Sequence, residues 1–348
     1  MTRPAGRVAK VSVIVPCRNE ERYIARCLDS IMATDYPRDR LEVLVVDGQS
    51  EDRTRAILNE YVARYPIIRV LDNPGRIQPI ALNVGIRAAA GEIVMRMDAH
   101  ALYPKNYITD LVTALETSGA DNVGGVLITA PARETPIGRA IAIALSQPFG
   151  VGNAYFRIGV RQPRWVDTVA FFCCRRETFE RVGLFDERQR DEDSEFNARL
   201  IQHGGRVLLV PNVVTQYYAR ETVGQLARMY HQYGYSKPLV VRKLGRVMTV
   251  RQLVPPTFLL ALAVSAILGP WVHALAVTFV ATAATYVLAV LGFSVIAGRK
   301  SGPPTMAALA VVFPVVHFSY GVGFLRCVAD LTFRSRRKPW QAGLPLSR

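Results

Sequence analysis

The chain has 348 residues, half of them hydrophobic, with 43 Lys and Arg against 28 Asp and Glu for a formal net charge of +15. That length accommodates one large domain plus a further element, or two domains. Its five scattered cysteines (Cys17, Cys27, Cys173, Cys174, Cys327) argue against a disulfide framework or a cysteine zinc site, and the opening MTRPAGRVAK lacks the apolar core expected of a signal peptide.

The predicted elements alternate from the start. Val11–Val15 (VSVIV) reads as a buried strand, followed by the loop Pro16-Cys17-Arg18-Asn19-Glu20. Tyr23, Ile24, Cys27, Leu28 and Ile31 recur at helical spacing within Glu20–Ala33. Leu41–Val46 is a second strand running into Asp47-Gly48-Gln49-Ser50, and Asp52–Tyr65 a second helix with Ser50 or Asp52 as N-cap. Ile67–Leu71 is a third strand, Pro79–Ala90 a third helix and Ile93–Asp98 a fourth strand. This alternation predicts a parallel, doubly wound sheet, which binds ligands beyond the carboxyl ends of its strands. Glu20, Asp47 and Asp98 all lie just past such ends.

The rest of the soluble portion is less regular. Lys105–Ser118 is a helix, and Asn122–Thr129, Trp165–Cys174 and Val207–Val210 are strands. Pro131–Arg164 is rich in Gly and Pro around the apolar stretch Ile137–Leu145, and reads as a mobile or lipid-facing insertion. Thr222–Tyr235 is an amphipathic helix carrying Gln225 and Arg228.

The hydrophobicity then rises. No Asp, Glu, Lys or Arg falls between Arg251 and Arg299, nor between Lys300 and Arg326. A bilayer crossing needs about 20 apolar residues, so Leu253–Leu268 and Ala274–Ala297 are expected to span a membrane. Met306–Val328 is a weaker third segment, interrupted by Pro314, His317, Ser319 and Gly321, and is open to a re-entrant or interfacial course. Much of the excess positive charge flanks these segments: Lys237, Arg242, Lys243, Arg246 and Arg251, then Arg299 and Lys300, then Arg334, Arg336, Arg337 and Lys338. Lipid is therefore the expected partner of that charge, and nucleic acid is not. The expected division is a soluble domain over 1–240 and a membrane region over 241–348, with two or three hydrophobic helices and a basic tail.

Two stretches carry chemistry. In IVMRMDAHAL (Ile93–Leu102) a buried strand runs out into Asp98 and His100. Residues two apart in extended chain project to one side, and a carboxylate with an imidazole suits Mn²⁺ or Mg²⁺ that also holds phosphate oxygens. In RDEDSEFNARL, Asp191, Glu192 and Asp193 crowd a helix N-terminus. They either serve only as good first-turn residues, or one of them is a general base that deprotonates a hydroxyl. No G-x-G-x-x-G follows the first strand and no G-x-x-x-x-G-K-[ST] occurs, which argues against a dinucleotide-binding Rossmann domain and a P-loop NTPase.

Taken together, VSVIVPCRNE, VVDGQSEDRT, ALNVGIRAAAGEIVMRMDAHA, RRETFERVGLFDE, EDSEFNARL and HFSYGVGFL resemble the inverting family 2 glycosyltransferases, closest to the bacterial succinoglycan-type exopolysaccharide glucosyltransferases. The resemblance implies an α/β fold of the GT-A type, a doubly wound, mostly parallel sheet followed by a helical membrane region. It implies that Asp193 is the base, and that Pro16, Glu20, Asp47, Asp52, Asp98, Glu192, Gln225 and Arg228 contact substrate. Asp98 and His100 occupy the Asp-x-Asp position that holds metal and diphosphate, with His100 replacing the second Asp. Gln225 to Met229 resembles the Gln-x-x-Arg-Trp element of processive synthases without the Trp, and the few membrane segments available to form a polymer channel favour one sugar per acceptor. The expected activity is metal-dependent transfer of a hexose, glucose by resemblance, from a UDP-sugar to a lipid-linked saccharide at a bacterial inner membrane, with the catalytic domain in the cytoplasm. Other biosynthetic glycosyltransferases are possible partners. The alternatives are a processive polysaccharide synthase and a non-catalytic scaffold that binds nucleotide-sugar.

Overall fold

The computed structural model describes residues 8–189, 191–245 and 249–333. Arg246, Arg334, Arg336, Arg337 and Lys338, part of the basic flanks expected from sequence, lie outside the described residues. In chain order the elements are β1 (Val11–Cys17), α1 (Ile24–Met32), β2 (Leu41–Asp47), α2 (Thr54–Arg64), β3 (Ile68–Asp72), α3 (Gln78–Ala88), β4 (Ile93–Arg96), β5 (Ala101–Leu102), α4 (Tyr107–Thr117) and β6 (Asn122–Ala130). Then come α5 (Pro136–Ala144), α6 (Pro148–Val151), α7 (Tyr155–Ile158), β7 (Arg164–Trp165), β8 (Cys173–Arg175), α8 (Arg176–Val182), α9 (Glu192–Gln202) and β9 (Val207–Tyr218). Four long helices close the chain: α10 (Val223–Leu244), α11 (Val254–Leu268), α12 (His273–Gly298) and α13 (Pro303–Phe333). They belong to two compact units, one of residues up to 128 together with 159–217, the other of 129–158 together with the chain from 218 on.

The first unit is built on one sheet in the order β3-β2-β1-β4-β8-β6-β9-β5, with β7 also paired to β9. β3, β2, β1 and β4 are mutually parallel. β2 is buried at every position, which is what a parallel sheet covered on both faces requires. The helix α1 answers with Ile24, Cys27, Leu28 and Ile31 on one buried stripe. The register sets Cys17 beside Asp47 and Ile14 beside Arg96, so the carboxyl ends of these strands open on the same edge of the sheet.

Beyond β4 the sheet turns antiparallel, with β8 paired to both β4 and β6. The single strand expected over Trp165–Cys174 is two short ones. Trp165 pairs with β9 while Cys173 pairs with β4 and β6, and one straight segment cannot reach both places. The strand beginning at Val207 runs on to Tyr218, well past Val210. The fourth strand stops at Arg96, two residues before the expected end.

The second unit is helical. The segment read as a mobile or lipid-facing insertion instead contributes to its core: Ala140, Ile141, Ala144 and Leu145 pack with Leu226 and Tyr230 of α10 and Leu309, Val312 and Phe313 of α13. α10 and α13 cross at two glycines. A Cβ on Gly234 would lie 2.0 Å from the carbonyl oxygen of Tyr320, and one on Gly323 would lie 2.1 Å from that of His231. The two backbones therefore touch, a packing open only to residues without a side chain.

Among the described residues, three helices are long and apolar enough to cross a membrane: Val250–Leu268, His273–Gly298 and Pro303–Phe333. The third continues through all four positions read as interruptions. His317 is accommodated because both ring nitrogens have partners, Phe149 O at 2.7 Å and Tyr286 Oη at 2.9 Å. All five cysteines are buried and unbridged. Burial raises the thiol pKa of Cys17, Cys27, Cys173 and Cys174, so these side chains behave as small apolar groups.

Candidate active site

The loops that follow β1, β2 and β3 are backbone-strained. Asn19, Gln49 and Arg76 have φ of 54°, 57° and 59°, one in each loop. Left-handed backbone costs a residue with a Cβ about 1–2 kcal/mol, so the surroundings must impose it, and such residues gather at functional sites. The surroundings here are reciprocal hydrogen bonds between loops. Asn19 N donates to Ser50 Oγ (2.9 Å), Glu51 N to Asn19 Oδ1 (2.9 Å), Glu20 N to Thr54 Oγ1 (2.7 Å) and Arg76 Nε to Gln49 Oε1 (2.6 Å).

Asp47, at the end of β2, is buried and accepts from Ser50 Oγ at 2.6 Å and Arg55 Nη1 at 3.2 Å. Asp52 accepts from Thr54 N at 2.9 Å and from Glu21 N at 3.2 Å. Burial pushes the Asp52 pKa up, but these hydrogen bonds outweigh it and leave the carboxyl below its ordinary value. Pro16 is half-buried in β1 opposite Val46. Glu20 is buried, and its Oε1 lies 3.1 Å from His100 Nδ1.

Asp98 and His100 are held by different neighbours. His100 faces Glu20 and the edge of Tyr217. Asp98 is gripped by Arg96: Nε donates to Oδ1 at 2.7 Å and Nη2 to Oδ2 at 3.1 Å. The remaining Nη1 reaches both carboxylate oxygens of Asp193 at 2.7 Å and Oε1 of Glu192 at 3.3 Å. One guanidinium thus joins the strand-end carboxylate to the acidic pair of α9, 97 residues away in sequence for Asp193.

α9 starts at Glu192, with Asp191 at its N-cap position. Its place is fixed from below by Phe196, which stacks on Phe179 and Phe185. Arg199 fastens the loop before it, donating to the carbonyls of Val182, Gly183 and Leu184 while paired with Glu195. Asn197 donates to the backbone oxygen of Asp193 at 2.8 Å and accepts from Asn122 at 2.7 Å. Cys173 and Cys174, beside these residues in β8, are fully buried packing groups.

Three carboxylates face one cation, and the electrostatics follow. Burial raises the pKa of Glu192 to about 7, against the pull of Arg96. Burial also raises that of Asp193, again opposed by Arg96, and its side chain keeps 24% exposure through which water tempers the effect. Burial alone would lower the pKa of Arg96, but Asp193, Asp98 and Glu192 raise it well above the ordinary value, so it stays charged.

Gln225 and Arg228 lie on α10 in the second unit. Gln225 closes a capping box with Thr222, each side chain bonding the other's backbone N–H at 3.2 Å. Arg228 lines an open cavity of about 410 Å³ with His231, Phe318 and Val322. Arg96 is the residue that sequence reading passed over. The signal for it was a charged side chain inside the otherwise apolar run of Ile93–Met97.

Comparison with known proteins bears on the family and the fold. Residues 12–188, half of the chain, match the family model for glycosyl transferase family 2. The chain is 29% identical to succinoglycan biosynthesis protein ExoA of Rhizobium meliloti, over 93% of this chain and 96% of that one. It is 26% identical to the dolichyl N-acetyl-alpha-D-glucosaminyl phosphate 3-beta-D-2,3-diacetamido-2,3-dideoxy-beta-D-glucuronosyltransferase of Methanococcus voltae, over 91% and 96%. The structure of a mannosyltransferase, PcManGT of Pyrobaculum calidifontis, in complex with GDP-Man and Mn²⁺, shares the fold with a TM-score of 0.59 at 21% identity, covering 95% of this chain and 89% of that one. A parallel sheet whose strands end in carboxylates, an acidic pair at the start of α9 and a family match across half the sequence lead to one assignment: this chain belongs to the family 2 glycosyltransferases, enzymes that invert the anomeric centre they transfer.

Proposed function

We propose that this glycosyltransferase moves a hexose, glucose in our reading, from a UDP-sugar to a lipid-linked saccharide in exopolysaccharide or cell-surface glycan synthesis. The observation that carries the reading is the shared hold of Arg96 on Asp98 and Asp193 at the carboxyl edge of the sheet. Residues 1–240 would form the cytoplasmic transferase portion and 241–348 the part embedded in the inner membrane. The two full-length relatives, named for succinoglycan synthesis and for a dolichyl-phosphate-linked acceptor, support that acceptor class.

Asp193 is proposed to take the proton of the acceptor hydroxyl as its oxygen attacks the anomeric carbon from the face opposite the departing UDP. The bond from the anomeric carbon to the UDP oxygen breaks as the new one forms, so an α-linked donor gives a β-glycoside. Glu20 and Asp47 are proposed to contact the nucleoside, with Asp52 and Pro16 beside them as further substrate contacts. Glu192 is proposed to face the substrate beside the base. Gln225 and Arg228 are proposed to contact substrate on the strength of their spacing alone.

A divalent cation fits the donor set. Asp98 offers a carboxylate and His100 an imidazole whose Nδ1 lies 3.1 Å from Glu20 Oε1, the pairing by which carboxylates orient metal-binding histidines. Among the described residues no group of three or more His, Cys, Asp or Glu is spaced to hold a metal, so diphosphate oxygens and water would complete the shell. Mn²⁺ or Mg²⁺ held by Asp98 and His100 would neutralise charge on the leaving diphosphate.

The test is turnover of UDP-glucose by detergent-solubilised protein with Mn²⁺, with and without a chelator. Metal-dependent release of UDP is expected. Absence of turnover and of UDP binding across a panel of UDP-sugars would overturn the reading. The pH profile is a second check. A base must be ionised, so turnover is full above the apparent pKa of the acidic pair and falls as pH drops through it. With burial raising the pKa of both Asp193 and Glu192, the acid limb is expected above the pH of ~4 at which an ordinary carboxylate pair would place it.

A further inference from the structure

Arg96 is 4% exposed at the end of β4. Its backbone N–H is tied to Phe172 O at 2.9 Å, and its guanidinium lies 5.6 Å from the centre of the Phe171 ring. The side chain is thus fixed at both ends, and its five donors are arranged on a rigid plane. Once Nε and Nη2 engage the two oxygens of Asp98, the direction of Nη1 is set, and Nη1 is the atom that meets Asp193. A lysine cannot reproduce this, because a single ammonium has no fork to relate two carboxylates.

We propose that Arg96 is a positioning residue for transfer: it acts through Asp193, fixing the base carboxylate relative to Asp98 and so fixing where the acceptor hydroxyl meets the donor. This rests on the reading of Asp193 as the base. The misplacement expected without Arg96 is small in distance and large in rate, because displacement of a reacting group by about 1 Å can cost 10²-fold. Arg96 touches neither the sugar nor the acceptor in this role.

The experiment compares wild type, Arg96→Ala, Arg96→Lys, Asp193→Asn and the double variant Arg96→Ala/Asp193→Asn, reading kcat for UDP release, UDP affinity and rescue by guanidinium. Arg96→Ala is expected to lower kcat about 100-fold with UDP affinity held within about fivefold. Arg96→Lys, which keeps charge and bulk in a folded protein, is expected to lose about 30-fold. Millimolar guanidinium, against an equal concentration of sodium chloride, is expected to restore Arg96→Ala and to leave Arg96→Lys unchanged. In the Asp193→Asn background the Arg96→Ala change is expected to cost no more than about threefold, since the group it positions is gone.

A folded Arg96→Lys with wild-type kcat overturns the proposal. So does a full additive loss in the double variant, or a loss confined to UDP affinity, which would assign Arg96 to the donor alone. An Asp193→Asn enzyme that keeps its turnover overturns instead the reading of Asp193 as the base, and the two failures are told apart by that single variant.

Discussion

Asp193→Asn is expected to lower kcat for sugar transfer about 10³-fold, within the range that general-base catalysis contributes, while KM for the UDP-sugar moves by no more than about threefold. The amide has the shape of the carboxylate and keeps one oxygen that can accept from Arg96 Nη1, so the fold around α9 is retained. What it loses is the basic lone pair. A neutral amide cannot take the hydroxyl proton, and the acceptor oxygen remains a poor nucleophile. The proximity of Glu192 sharpens the comparison, because its carboxylate shares Nη1 of the same guanidinium. Glu192→Gln is expected to lose far less than Asp193→Asn. If the order of the two variants is reversed in a UDP-release assay, the base is Glu192.

Gly323→Ala is expected to destabilise the second unit by about 1–3 kcal/mol, the usual cost of overpacking, where the same change in an open helix gains up to about 1 kcal/mol. The added Cβ would meet His231 O at 2.1 Å, His231 C at 2.9 Å and Tyr235 N at 3.0 Å, all backbone atoms that no rotamer change can clear. α10 and α13 would have to separate, opening the seam that Leu226, Val312 and Phe313 fill on the same pair of helices. Gly234→Ala meets Tyr320 O at 2.0 Å and is expected to behave alike. Gly292→Ala on α12 is the control: nothing lies within 4 Å of its Cβ, so it is expected to be neutral or stabilising. Thermal unfolding of detergent-solubilised protein measures the sign in each case. Equal midpoints for Gly323→Ala and Gly292→Ala would mean that the two helices do not touch at this crossing.

What the sequence disclosed, and what it withheld, follows from the range of the interactions. β1, β2 and β4 are apolar runs that need burial on both faces wherever they go, so Val11–Val15, Leu41–Val46 and Ile93 onward announce themselves locally. The short strand β8 does not. Three residues, Cys173 to Arg175, become a strand only because β4 and β6 flank them. The segment Pro131–Arg164 was ambiguous for a related reason: an apolar stripe such as Ile137–Leu145 looks alike whether lipid or α13 covers it. The start of an amphipathic helix at Thr222 was legible locally, and the structure closes that end with a capping box between Thr222 and Gln225. Arg96 was not. In the strand it reads as a stray charge, and its meaning depends on Glu192 and Asp193, which approach only when the chain has closed the sheet. Asp98 was named from its place at a strand end and Asp193 from resemblance, yet the group that relates them to each other had to be found in space.

The five cysteines open a direct test of whether the three long apolar helices cross a membrane. Each is buried and unbridged, so the folded protein should be silent to maleimides without any cysteine being removed. A single cysteine introduced into the turn at Trp271, or at the turn residues Arg299 and Lys300, would then be the only reactive thiol in an otherwise native chain. Its reaction with an impermeant reagent, in sealed vesicles of each orientation, would report the side of the bilayer on which that turn emerges.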